Sequence, residues 1–116
     1  MVDKSGIYLA YLNVTPKQGA ERLDTWPSFR AEHLREESAL SVHEDAHALS
    51  LSFRGGTGSC VIEDYVTRAK NHHDHEIACF VQGSRSASVL VAAAPSYAWG
   101  KYAAQLERAI SAFRVT

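Results

Sequence analysis

Residues 59–95, SCVIEDYVTRAKNHHDHEIACFVQGSRSASVLVAAAP, decide the fold. Three runs rich in Val, Ile, Phe, Tyr and Cys (SCVIEDYVTRA, EIACFVQG and SASVLVAAAP) are separated by short polar stretches. They read as strands joined by a KNHHDH hairpin loop and a GSRS turn. Just upstream, HALSLSFRGGTG alternates Leu49, Leu51 and Phe53 against Ser50 and Ser52, then reaches Gly55, Gly56 and Gly58. That pattern predicts a further strand whose core face is Leu49, Leu51 and Phe53, ended by a glycine turn. Parallel neighbours need long crossovers, so consecutive strands with connections this short must pair as an antiparallel meander.

Working outward, GIYLAYLNV (6–14) reads as an earlier strand and TPKQG as the loop that closes it. LDTWPSFRAEHLREES predicts a helix with Asp24 or Thr25 as N-cap and Pro27 in the first turn, where a missing N–H costs nothing. Trp26, Phe29, Arg30, His33 and Leu34 share one side of it, and Glu32, Glu36 and Glu37 face water. SVHEDAH then reads as a polar connection. At the C-terminus Trp99, Tyr102, Ala103, Leu106, Ile110 and Phe113 recur at steps of three and four, opposite Lys101, Gln105, Glu107 and Arg108. A helix with one apolar stripe needs a sheet to bury against. The expected fold is therefore α+β, an antiparallel sheet of four to five strands packed by a helix from the N-terminal half and a long C-terminal helix, in a single domain spanning 1–116.

The chain has 12 basic and 13 acidic residues with no basic run, a balance that argues against nucleic-acid binding, which rests on clustered Lys and Arg. No apolar run approaches the ~20 residues of a membrane span, and MVDKSGIYLAYLNV resembles no signal peptide. The expected location is cytoplasmic, with a secreted parent whose leader has been removed as the alternative. Cys60 and Cys79 make no disulfide framework, and strands drawn from the pattern leave them offset, so free thiols are expected.

A strand running directly into a long helix, Val89 to Ala92 followed by Leu106 to Val115 in LERAISAFRV and preceded by a meander, is similar to the close of the PsbP/Mog1/DcrB/LpqN-like family. The likeness covers the C-terminal two thirds as topology. The family usually opens with an extra β-hairpin, where this chain has only GIYLAYLNV before its first helix. What the resemblance implies is a non-enzymatic protein that holds another protein, as do the photosystem assembly subunits, nuclear transport cofactor, bacterial lipoproteins and secretion-effector chaperones of that family. It supplies no catalytic residues.

Four stretches carry candidate chemistry. In NHHDHE (71–76), His73 and His75 share a side of an extended chain while His72 points away, and Asp74 or Glu76 offers oxygen, so His72, His73 and His75 are the candidate metal ligands. The plainer reading is a solvated hairpin tip. RGGTGSC presents Cys60 as a nucleophile with His43 or His47 as base, against a simple glycine turn. His43, Glu44, Asp45 and His47, with His33, make a second possible cation set. Tyr97 opens the last helix just off its apolar stripe, where an aromatic residue suits an interface.

No acid, base and nucleophile cluster on rigid elements, so the leading expectation is a non-catalytic protein-binding domain, an adaptor, chaperone-like or immunity-like partner that needs no cofactor. Its expected docking surface is the sheet face opposite the last helix, with Tyr8, Ser50 and Ser52, together with Tyr97. The alternative is a small metal- or thiol-dependent enzyme using His72, His73 and His75 or Cys60. A third reading is a small-ligand carrier with its pocket between the final helix and the sheet. The edge strand GIYLAYLNV also offers a route to a homodimer.

Overall fold

A computed structural model describes residues 10–69 and 71–116. The elements run β1 (Tyr11–Pro16), α1 (Trp26–Glu37), β2 (Ala39–Phe53), β3 (Gly56–Thr67), β4 (His73–Gly83), β5 (Ala87–Pro95) and, after a 3-10 turn at Ser96–Ala98, α2 (Trp99–Ser111). β2 to β5 form the meander expected from the short turns, and β1 returns beside β5, giving a five-stranded antiparallel sheet in the order β1-β5-β4-β3-β2. The two helices cover opposite faces. Tyr102, Leu106 and Ile110 of α2 pack on Ile77, Cys79, Val81, Leu90 and Ala92, whereas Trp26 of α1 packs on Val61, Ala78, Phe80, Val91 and Ala93. Central β4 is consequently buried on both sides from Glu76 to Val81. Trp26 fixes α1 to the sheet with its indole N–H, which donates to the Ala78 carbonyl at 2.9 Å. Among the described residues no helix is long and apolar enough to cross a membrane.

Four expectations change. First, SVHEDAH is no connection: it is the middle of β2, a 15-residue edge strand whose polar side chains are tolerated because both of its surfaces meet solvent there. Second, Leu49 and Leu51 are 43% and 38% exposed rather than core. A bulge between Ala48 and Leu51, with Ser50 at φ 57°, breaks the alternation that the Leu-Ser pattern suggested. Third, only Asn71 and His72 of the NHHDHE stretch lie in the hairpin turn; His73 to Glu76 begin β4. Fourth, β1 runs on through Thr15 and Pro16, which the pattern had placed in the loop. Tyr8 lies outside the described residues.

The cysteines give a further correction. Cys60 and Cys79 stand directly opposite each other in the β3–β4 register and are joined in a disulfide, with Cα atoms 4.1 Å apart. The free-thiol expectation assumed an offset that the register does not contain, and a bonded Cys60 has no thiol to serve as a nucleophile. The bond closes a 19-residue separation, for which chain entropy contributes up to about 3 kcal/mol. Reduction, or paired Cys60→Ser and Cys79→Ser substitutions, should lower the urea midpoint by a corresponding amount. An unchanged midpoint would show that the denatured chain gains nothing from the release.

At the far end of the sheet the C-terminal tail ties down the β2–β3 turn. Buried Val115 donates its N–H to the Arg54 carbonyl at 2.9 Å, and Gly55, at φ 84°, sits where a Cβ would collide with the Val115 carbonyl.

Candidate functional site

Three successive cross-strand pairs, Glu63 with Glu76, Asp64 with His75 and Tyr65 with Asp74, put polar groups into the middle of the sheet. Strand alternation divides them: Glu63, Glu76 and Tyr65 face α1, and Asp64 and His75 face α2.

On the α1 side Glu63 and Glu76 are both fully buried. Arg30, one turn after Trp26 on the inner face of α1, reaches Glu76 with both arms of its guanidinium, Nε to Oε2 at 2.8 Å and the terminal nitrogen to Oε1 at 3.0 Å. Glu63 has no such partner. Neither of its carboxyl oxygens meets a donor, and the group facing it is the Glu76 carboxylate, itself only an acceptor. A hydrogen bond joins the two acids only when Glu63 keeps its proton. Burial and then this contact push the Glu63 pKa up to about 8. Burial also raises Tyr11 and Tyr65, whose rings border the same cluster.

Beside this buried group a cleft of about 370 Å³ opens between α1 and β1. Val89 and Val91 of β5 form its apolar floor, Asn13 and Thr15 of β1 one wall, and Phe29, Arg30 and His33 of α1 the other. Glu21 closes one end. Burial alone would raise its pKa, but it accepts the N–H groups of Gln18 at 3.0 Å and Gly19 at 2.7 Å, which hold it below the usual carboxylate range. The ligand-carrier reading expected a pocket under the final helix; this cleft lies on the other face of the sheet.

On the α2 side the His75 ring is held between Asp64, 2.6 Å from its Nδ1, and the Trp99 ring at a 4.4 Å centroid distance. Asp45 of β2 lies 3.8 Å from the same nitrogen, and His43 Nε2 lies 3.4 Å from Asp45. Asp45 is the extra residue of a bulge between Glu44 and Ala46, which sets it against Asp64. A hydrogen bond shared with Asp64 raises the Asp45 pKa; burial would raise Asp64 too, but its bonds to Asp45 and His75 bring it down.

The structure thus splits the candidate metal set. His72 sits in the turn and pairs with Asp74 at 3.0 Å, exposed His73 begins β4, and only His75 joins a cluster. The second cation set splits as well: His33 pairs with Glu37 and His47 with Glu44, leaving Asp45 to approach His75, with His43 beside Asp45. Ser52 lies on the α1-facing side of β2, Ser50 is in the bulge, and Tyr97 is 82% exposed. Arg30, Glu63 and Glu76 escaped the sequence reading as a set. Their one signal was an acid at a core-facing position of two apolar strands, Glu63 between Val61 and Tyr65, and Glu76 beside Ala78 and Phe80.

No protein-family model matches the chain, and no curated protein matches it. Among solved structures it is similar to PA94 of Pseudomonas aeruginosa, a protein of unknown function. The TM-score is 0.66 at 7% sequence identity, over 92% of this chain and 72% of that one. At such low identity the likeness is one of fold.

Proposed function

We propose that the protein works by binding another polypeptide, which adds an extended segment along β1. One observation carries this reading: the cleft opens along the inner wall of an edge strand that has no bulge. A strand laid beside β1 gains main-chain hydrogen bonds, and its alternate side chains meet two different surfaces. One set enters the cleft over Val89 and Val91. The other lies beside Leu12 and Val14, which are 37% and 46% exposed. The opposite edge is less suited, because β2 carries three register shifts that twist its backbone out of line. Both sheet faces have a helix packed on them, which turns docking toward an edge. Holding another protein also agrees with what the C-terminal strand and helix resemble.

The test is copurification from the native cells with two single substitutions at exposed positions. Val14→Lys, on the β1 edge, should reduce the recovered partner at least tenfold, whereas Leu51→Lys, on β2, should leave it unchanged. The reverse result would move the interface to β2, and retention in both variants would remove the sheet edges from consideration.

A further inference from the structure

Beyond partner binding, we propose that His43, Asp45, Asp64 and His75 form a binding site for one divalent first-row metal ion, with zinc the best chemical match. A ligating atom from each of Asp45, Asp64 and His75 lies within 4.8 Å of the others. His43 lies outside that group but on the same face as Asp64 in the β2–β3 register, with its Nε2 3.4 Å from Asp45, and its exposed side chain would swing in to supply the fourth donor. The donors come from three neighbouring strands, so their spacing is set by sheet geometry and by the bulge at Asp45 rather than by a loose loop. His75 Nδ1 lies 2.6 Å from Asp64 and 3.8 Å from Asp45. Those separations bracket the roughly 3.3 Å edge of a tetrahedron built on bonds of about 2.0 Å.

The donor set decides the class of metal. Two imidazoles and two carboxylates without a thiolate suit zinc and its first-row neighbours, while calcium and magnesium prefer all-oxygen shells. The two carboxylates also supply the negative charge that a divalent ion neutralises. The Trp99 ring packs against His75 at a tilt of 50° and restricts the rotation of the imidazole. The ion binds the neutral imidazole through Nδ1, replacing the contact to Asp64, and leaves the Nε2 proton in place. His72 and Asp74, which pair with each other across the turn, take no part.

The experiment is a zinc titration of the chelator-treated full chain, followed by calorimetry and by tryptophan fluorescence, since Trp99 touches a ligand. One equivalent should bind and change the emission. Asp64→Asn and His75→Gln should each weaken binding at least about tenfold, and His72→Ala should not. Thermal melts of the metal-free variants separate lost ligation from lost folding, and Asp45→Asn, at an exposed position, gives a ligand change that leaves the core intact. The proposal is overturned by the absence of saturable uptake, by wild-type affinity in the Asp64 and Asp45 variants, or by loss of binding in His72→Ala instead.

Discussion

Arg30→Met is expected to lower the stability of the protein by roughly 3–5 kcal/mol at neutral pH, the scale at which breaking one half of a buried ion pair is felt. Glu76 is fully buried and both of its carboxylate oxygens accept from the Arg30 guanidinium. Methionine keeps much of the arginine stem volume but leaves Glu76 charged inside the sheet without a cation, with the Glu63 proton as the donor that remains beside it. The loss reports that stranded charge more than the worth of the bridge itself. Adding Glu76→Gln to the Arg30→Met background should therefore recover a large part of it. Urea unfolding of the two single variants and the double variant completes the cycle, and strict additivity would show that the two side chains act independently.

A second large effect lies in the pH dependence of Glu63. Its carboxyl has a pKa of about 8 in the fold against 4.5 when exposed. The folded state therefore binds the proton more tightly. Below the unfolded value both states are protonated and the contribution to stability is fully present; as pH climbs through the folded value it is lost. With about 1.4 kcal/mol per pH unit, the wild type should lose roughly 3 kcal/mol between pH 5 and pH 8 from this group. Glu63→Gln mimics the protonated acid and keeps an N–H to donate to Glu76. It should match the wild type near pH 5 and exceed it by roughly 3 kcal/mol at pH 8. Other carboxylates, such as Glu21 and Asp64, titrate in both proteins, so the difference between the two curves isolates Glu63. Parallel curves would mean that Glu63 ionises normally.

The meander and the last helix were legible because their signals are local. Runs of β-branched residues, glycine turns and a repeating stripe of Tyr102, Leu106 and Ile110 specify their own conformation, and short turns leave one pairing sense. β2 was legible only in part. An edge strand need not alternate, and His43 to His47 carry the polarity of a loop because both surfaces meet water. The disulfide and the polar clusters were not legible, since each depends on register. Only the pairing of Cys60 with Cys79 and of Asp64 with His75 brings these residues together, and a shift by one position would send every one of them to the other face. The buried acids illustrate the same limit. Glu63 and Glu76 look like ordinary solvent-facing residues until the second helix-covered face is known.

The unequal edges of the sheet bear on symmetry. A sheet with two plain edges can stack strand to strand without end, which is the geometry of a fibre. Here β2 is kinked by three bulges and β1 is straight, so growth has a single direction. If two copies meet through their β1 strands, a two-fold axis lies between them and the straight edges are both consumed. The assembly then closes at two subunits, with a kinked border on each outer rim to discourage a third.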